Sequence, residues 1–291
     1  MSSRGDLDGE AVPVTGPISG LESLGRRTAM TIAGFGRFAI FARDAFRWIA
    51  FQPSSWLAWR QIGPQLYRVG TESVPVVAIV GLFIGMILAL EGYYQFAEIG
   101  QESRMGGIIN AAVTKQIGPV LAAVMLAGRV GGALSAELGS MKVTEQLDAM
   151  RAMGADPIRT LVAPRVMACV LMTPLMTVYS DLLGSWGSWF VSVKINGISS
   201  PDYWHFTALF VTWWEPFTGL VKAVFFGLFI GLISCYKGFH CAAGATGVGK
   251  ATTESFVMTF IAIIMVNLVL AQLLNDLQRW LFPASAASLL T

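Results

Sequence analysis

The chain has few charged side chains for its size. Asp, Glu, Lys and Arg make up 13% of its 291 residues, whereas 54% are hydrophobic and the mean hydropathy is +0.61. A soluble domain usually carries about 25% charged residues, and a surface so poor in charge would not keep the chain in solution. The net charge of +2 also lacks the basic excess that nucleic-acid binding needs. We therefore expect a chain that lies in a bilayer.

Cysteine and histidine are scarce as well. The three cysteines, Cys169, Cys235 and Cys241, are odd in number and lie in or beside apolar runs, so we expect no disulfide framework. The histidines are His205 and His240, and the spacing of His240 from the two nearby cysteines matches no common zinc motif. No nucleophile, base and orienting acid stand in an arrangement typical of a hydrolase. We expect neither a metal site nor an enzyme.

The N-terminal region divides into two parts. Residues 1–20 contain almost no large apolar side chain, and we predict a disordered tail, because such a segment buries too little surface to offset its ordering entropy. No apolar core follows the first charges, so a secretory signal peptide is not expected. In residues 21–66, arginines alternate with Phe, Trp and Ile at helical spacing. This pattern predicts an amphipathic elbow helix in the headgroup plane; an ordinary amphipathic helix on a soluble domain is the alternative.

Five apolar segments predict an all-α membrane protein, with the elbow helix followed by a transmembrane domain over residues 67–285. The segments are 74–90, 108–134, 166–193, 223–236 and 255–275. The fourth is short, and it reaches an adequate length only if Lys222 snorkels to the interface. Residues 203–217 are rich in aromatic side chains and could form an interfacial helix or a re-entrant turn; we place them at the membrane surface.

The basic residues predict an orientation. Of the 20 Lys and Arg residues, fifteen fall on one side of the five-span topology, and only Arg104, Lys194 and Arg279 fall on the other. Basic residues concentrate on the cytoplasmic side of membrane proteins. We expect a cytoplasmic N-terminus and, after five crossings, a C-terminus on the outer side.

The connection between the second and third spans predicts a short helix with a mixed face. Good helix formers run from Met141 to Met153 and end at Gly154, before Pro157. Its apolar residues are too many for a free loop, whereas Glu145, Asp148 and Arg151 would expose one face of the helix to water. Such a face suits docking into a groove on a partner protein. A solvated loop helix without a partner is the alternative.

Ordered motifs in this part of the chain resemble a known family. They are Gln-Ile-Gly-Pro-Val-Leu from Gln116, Ala-Gly-Arg-Val-Gly-Gly-Ala from Ala127, Ala-Glu-Leu-Gly-Ser-Met-Lys-Val-Thr-Glu-Gln-Leu-Asp-Ala-Met from Ala136, Met-Gly-Ala-Asp-Pro from Met153, Pro-Arg-Val-Met-Ala from Pro164, Tyr-Lys-Gly-Phe from Tyr236 and Gly-Ala-Thr-Gly-Val-Gly-Lys-Ala-Thr-Thr from Gly244. Together they closely resemble the MlaE/YrbE permease family, the membrane subunits of MCE-associated lipid ABC transporters. The resemblance covers roughly residues 50–280. One departure is Gln116, where the family usually has an acid.

The resemblance implies partners, a cellular location and a coupling helix. It implies a homodimer in the bacterial inner (cytoplasmic) membrane that binds two cytoplasmic ABC ATPases, with an MCE-domain lipid-binding protein on the outer side and phospholipid as the cargo. ATP and Mg would be bound by the partner ATPase, and no cofactor by this chain. The coupling helix would span about residues 137–154. Its candidate coupling residues are Glu137, Met141, Glu145, Asp148 and Arg151.

Polar residues near the outer ends of the spans are candidates for a lipid cavity. The set is Glu91, Tyr94, Lys115, Gln116 and Asp181. A lone acid deep in a bilayer usually faces a cavity or a partner, and a lysine at headgroup depth can contact a lipid phosphate. Polar helix packing or an ion pair is the alternative for Asp181 and Lys115. We expect an ATP-driven lipid permease subunit; a stand-alone secondary transporter that uses Asp181 as a coupling acid is the alternative.

Two glycine patterns complete the sequence features. Residues 244–251 nearly fit a phosphate-binding loop, but Ala251 replaces the Ser or Thr that would hold magnesium and no strand precedes it. We interpret it as a cytoplasmic turn, with Thr252 or Thr253 as a cap for the fifth span. The pairs Gly81 with Gly85 and Gly227 with Gly231 are spaced for close helix packing.

Overall fold

The structure is a computed structural model that describes residues 17–51 and 59–282. Residues 1–16, most of the expected tail, and 52–58, part of the expected elbow region, lie outside the described residues. A helix begins at Pro17, within the last residues of the segment expected as a tail. Residues 17–43 belong to one compact unit and the described residues from Asp44 onward to a second, and the contacts described below lie in the second. A location of the first helix in the headgroup plane stays a prediction.

The described residues are helical and contain no β-strand. In chain order the helices are α1 (Pro17–Phe51), α2 (Trp59–Val69), α3 (Val74–Ala97), α4 (Met105–Ala112), α5 (Gly118–Leu126), α6 (Gly132–Val143), α7 (Gln146–Ala152), α8 (Ala163–Trp189), α9 (Ser200–Phe210), α10 (Trp214–Phe239) and α11 (Gly244–Leu281). Short 3₁₀ and π segments join several of them end to end.

Five continuous helical spans are long and apolar enough to cross a membrane, which confirms the all-α membrane fold. They are Arg60–Ala97, Glu102–Val143, Ile158–Ile195, Trp214–Phe239 and Gly244–Leu281. Each extends beyond the apolar run that predicted it, because the helices continue into flanking polar residues. The fifth includes residues 244–251, so the expectation of a turn there is wrong: Thr252 and Thr253 lie inside α11, and each hydroxyl donates to the carbonyl of Gly249.

Glycines let the helices approach closely, as their spacing predicted. A Cβ on Gly81 or Gly85 of the first span would collide with the backbone of the third span at Ser180 or Gly184. A Cβ on Gly227 of the fourth span would lie 2.5 Å from the carbonyl oxygen of Cys169, again on the third. The third span is therefore packed between the first and the fourth, with the second also against it.

The two ends of the bundle differ in composition. We call the end that carries Arg68, Arg165 and Lys237 the basic end, and the end that carries Tyr203 and Trp213 the aromatic end. The fifth span packs on the bundle mainly through the half that lies next to the basic end. In this half, a stripe of mostly small side chains repeats every four residues. The stripe consists of Gly247, Ala251, Ser255, Thr259 and Ile263. Much of the rest of this helix is exposed apolar surface.

The helix α9 attaches the aromatic end to the second and third spans. Tyr203 is fully buried, its hydroxyl donates to Ser188 Oγ at 3.1 Å and it accepts a hydrogen bond from Asn110 Nδ2 at 2.9 Å. Burial raises the pKa of the Tyr203 phenol, which keeps it a neutral donor. Residues from Trp214 onward begin the fourth span, and the location of residues 203–213 at the membrane surface stays a prediction.

The expected helix from Met141 to Met153 is broken. The helix α6 ends at Val143, and the hydroxyl of Thr144 donates back to the carbonyl of Ser140 at 2.8 Å, a bond that competes with the hydrogen bonding of the helix backbone. Glu145 then adopts a left-handed conformation with φ 59° before α7 begins at Gln146. Glu145 is thus the residue that precedes α7, and it is not an interior helical position.

Candidate functional site

Lys222 of the fourth span reaches the second span inside the bundle, at Lys115 and Gln116. We call Lys115, Gln116 and Lys222 the lysine cluster. The side chain of Lys222 is only 1% exposed, and its ammonium donates to the main-chain carbonyl of Lys115 at 3.0 Å and to Oε1 of Gln116. The expectation that Lys222 snorkels to the interface is therefore wrong. Its helix already spans 26 residues, so the side chain has no need to lengthen it.

The local sequence explains why Lys222 finds an acceptor there. Proline has no N–H, so Pro119 cannot donate to the carbonyl of Lys115, four residues earlier. Residues Val113–Ile117 form a π-helical segment just before it, and such segments often occur at functional sites. The ammonium of Lys222 supplies a donor to this carbonyl.

The lysine cluster carries two positive charges beside neutral acceptors. The ammonium of Lys115 lies 3.4 Å from Oε1 of Gln278 on the fifth span. Among the described residues, no acid forms an ion pair with Lys115 or Lys222. Buried charges are costly unless they are paired, so the cluster favours an anion.

Asp181 of the third span lies against the same stretch of the second span. Its side chain is 9% exposed, and its Oδ1 has no hydrogen-bond partner among the described residues. A Cβ at Gly118 would collide with this carboxyl group. The glycine therefore makes room for the acid two residues after Gln116.

Glu91 and Tyr94 are placed differently. Both are exposed near the end of α3, and Tyr94 is 65% exposed with its ring packed edge-on against Tyr93. No hydrogen bond among the described residues joins either of them to the lysine cluster. Lys222 and Gln278 take part instead, and the sequence pattern predicted a place in the site for neither. The only sequence signal for Lys222 was a lysine at the edge of an apolar run.

The candidate coupling residues surround α7. Leu147 is buried and anchors the helix, whereas Asp148 and Arg151 are exposed and form an ion pair of 2.8 Å. Glu145 is exposed and Met141 is half-buried. This arrangement leaves charged groups of both signs on the outer surface of α7.

Glu137 lies in an ionic cluster at the basic end. One carboxylate oxygen pairs with Arg68, and the other accepts from Arg165 at 3.0 Å. Arg165 is itself buried. Glu137 thus ties the starts of the first and third spans to the end of the second, and its role in coupling stays a prediction.

The end of α1 contacts the loop after α7. The indole N–H of Trp48 donates to Oδ2 of Asp156 at 2.8 Å, and the guanidinium of Arg159 lies 5.3 Å from the centre of the Trp48 ring. The other oxygen of Asp156 accepts from the backbone N–H of Ile158. The loop that follows α7 is therefore fixed both by contacts with Trp48 and by a hydrogen bond within the loop.

A comparison with protein families finds one match over most of the chain. The family model described as Permease MlaE matches residues 62–273. These residues include all three members of the lysine cluster, Asp181 and α7.

Curated relatives match over similar lengths. A probable ABC transporter permease protein of Rickettsia bellii is 38% identical over 251 residues, which cover 86% of this chain and 96% of the relative. One from Synechocystis is 38% identical, with 72% of this chain and 80% of the relative covered. The intermembrane phospholipid transport system permease protein MlaE of Haemophilus influenzae is 33% identical, with 72% and 81% covered.

Proposed function

This chain belongs to the MlaE permease family, and from that membership we propose that it is the membrane subunit of an ATP-driven phospholipid transporter. The observation that carries the proposal is the match over 81% of the Haemophilus relative, whose name states intermembrane phospholipid transport. The chain would work as a homodimer in the bacterial inner membrane. It would pass lipid between that membrane and an MCE-domain protein on the outer side.

The energy would come from a separate ATPase at the basic end. The Rickettsia and Synechocystis relatives are named as ABC transporter permeases, and a permease of this type leaves ATP and Mg to its partner. Docking of the ATPase at α7 is supported by the exposed charges of Asp148 and Arg151 and by the exposed Glu145 that precedes the helix. The basic end would then face the cytoplasm, which agrees with the excess of Lys and Arg there.

The lysine cluster would bind the phosphate of the transported lipid. Two ammonium groups, one buried and one half-buried, have no acidic partner among the described residues, and a phosphodiester would supply a negative charge. Asp181 lies beside the cluster on the neighbouring span and would set how much positive charge the site retains.

Reconstitution tests the proposal. The chain would be expressed with the ATPase and the MCE-domain protein of the same genome, purified through a tag on the chain, and placed in liposomes that contain a labelled phospholipid. We expect both partners to copurify and lipid to reach the MCE-domain protein only when ATP is present. An ATPase variant without its phosphate-binding lysine is the control.

Two results would contradict the proposal. One is a chain that retains no ATPase under conditions that keep it folded. The other is lipid transfer driven by a pH gradient without ATP and lost in Asp181→Asn, which would identify a secondary transporter.

A further inference from the structure

A cavity of about 630 Å³ lies at the aromatic end, lined by residues from α9, the start of the fourth span and the end of the fifth. Its walls include Arg104, Trp213, Trp214, Glu215, Gln278 and Phe282. Ligand pockets in proteins typically measure about 300–1,000 Å³ and combine apolar walls with a few polar groups. This cavity has that size and that composition.

Trp214 lines the cavity, and its indole N–H is a donor with no acceptor among the described residues. The nitrogen itself has almost no accessible surface, so the ring must turn for the N–H to reach a ligand. The side chain is 4% exposed, and its indole Nε1 has no hydrogen-bond partner among the described residues. A buried donor left unpaired costs about 1–3 kcal/mol. A ligand oxygen in the cavity would remove this cost.

The cavity also carries one charge of each sign. The guanidinium of Arg104 lies 5.9 Å from the centre of the Phe206 ring, and no acid among the described residues pairs with it. Glu215 is 9% exposed, and one of its carboxylate oxygens accepts from the backbone N–H of Thr212 at 2.8 Å and from the Thr212 hydroxyl. The carboxylate is thus fixed in place, and the charges of the two walls cancel.

We propose that this cavity binds the headgroup of a zwitterionic phospholipid. While the lipid is in this cavity, before its phosphate reaches the lysine cluster, the phosphate would accept from Arg104 and from the Trp214 indole N–H, and the ammonium would lie near Glu215 and the tryptophan rings. Carboxylates and aromatic faces both attract an ammonium group. The inference rests on the proposed function and deepens it, because it names the lipid class that the permease selects.

Other ligands fit these walls less well. An anionic headgroup without an ammonium, such as that of phosphatidylglycerol, would leave the Glu215 carboxylate without a counter-charge. A purely apolar side chain from a partner protein would leave both Arg104 and the Trp214 indole unpaired. Gln278 lines this cavity and also contacts Lys115, so a single side chain lies between the cavity and the lysine cluster.

Photocrosslinking of the full chain tests the inference without ATP or partners. The chain would be reconstituted in vesicles with equal amounts of phosphatidylethanolamine and phosphatidylglycerol, with a photoreactive residue at Leu209 in the cavity wall. Mass spectrometry would identify the captured lipid. We expect phosphatidylethanolamine to be enriched about fivefold, a preference typical of one well-placed charge. The same probe at Leu268, which is 73% exposed on the fifth span, should capture both lipids in the bulk ratio.

Matched variants separate the two charges. Glu215→Gln should abolish the preference, and Arg104→Gln should lower the capture of both lipids. Arg279→Gln is the control, because Arg279 pairs with Asp276 and does not line the cavity. Trp214→Phe should weaken capture, whereas Trp280→Phe, at a residue 79% exposed, should not. Thermal unfolding of each variant shows whether it remains folded.

Several outcomes would overturn the inference. They are equal capture of both lipids at Leu209, a preference that survives Glu215→Gln in a folded chain, and capture of soluble phosphoethanolamine in place of lipid when that headgroup is added. If the complete complex transports lipid but Leu209 shows no preference, only the headgroup inference fails. If Leu209 captures phosphatidylethanolamine but no ATPase binds, the proposed function fails and the cavity assignment stands.

Discussion

At the scale of the residue, Lys222 is held by two neutral oxygens where an acid would form an ion pair. Gln116→Glu would provide that acid at the same position. We expect the variant to be more stable by about 1–3 kcal/mol, because a charge-assisted pair replaces a hydrogen bond from a charged donor to a neutral amide. We also expect weaker binding of phospholipid, since the carboxylate would compete for the ammonium. Thermal unfolding and lipid retention in detergent measure the two effects.

The control for this variant is Gln101→Glu, at an exposed residue outside the spans. It adds the same charge and should change neither quantity. A Gln116→Glu chain that gains no stability and keeps its lipid would show that Lys222 does not need a counter-charge.

Gly118 makes room for the carboxyl group of Asp181. Gly118→Ala should destabilise the chain by about 1–3 kcal/mol, because the added methyl group overpacks the contact. Asp181→Ala in the same chain should recover most of that loss, since it removes the colliding group. Gly132→Ala is the matched control: it is helical with open space around its Cα, and it should be neutral or stabilising by about 0.5–1 kcal/mol. Additive effects of the two core changes in thermal unfolding would disprove the contact.

At the scale of the element, α7 is a small helix whose anchor is buried and whose charges are exposed. Lysine at both Glu145 and Asp148 would reverse the acidic charge on this surface. We expect the variant to lose the ATPase during purification or to lose lipid-stimulated ATP hydrolysis, because like charges across an interface lower affinity. Normal assembly and normal stimulated hydrolysis would mean that α7 does not couple the two proteins.

The left-handed backbone at Glu145 calls for a separate control. Glu145→Gly removes the carboxylate and relieves a conformation that costs a non-glycine residue about 1–2 kcal/mol. It should therefore stabilise the chain while it leaves α7 in place. A defect in both Glu145→Gly and the charge reversal would point to the carboxylate, whereas a defect in the reversal alone would point to repulsion.

Some elements could be predicted from the sequence because their causes are local. Apolar runs predicted the five spans, and the spacing of Gly81 with Gly85 predicted a close helix crossing. The burial of Lys222 could not be predicted, because it depends on a carbonyl of another helix, that of Lys115, to which Pro119 cannot donate. The pairing of Glu137 with Arg68 likewise joins residues distant in the sequence. The break at Glu145 could not be predicted because no glycine or proline stands beside it, and the β-branched Val143 and Thr144 alone are too weak a signal of a helix end.

At the scale of the whole molecule, the excess of Lys and Arg at the basic end predicts its orientation. A reporter that is active only in the cytoplasm should be active when it is inserted after Ala242, between the fourth and fifth spans, and inactive when fused after Phe282. The reason is that the two sites lie at opposite ends of the fifth span. Protease protection in spheroplasts gives a second measurement. Activity of the fusion after Phe282 would reverse the orientation and move the ATPase surface to the other end.

Ribosomal synthesis delivers the third span only after two of its neighbours have been made. The first and second spans would enter the bilayer while Gly81 and Gly85 still lack the helix that they pack against. Close packing of small residues is a main force between helices in lipid, so a nascent chain is held together poorly until residues 158–195 are inserted. Chains stalled before that point should be held by membrane insertion chaperones and, without them, be degraded by membrane proteases.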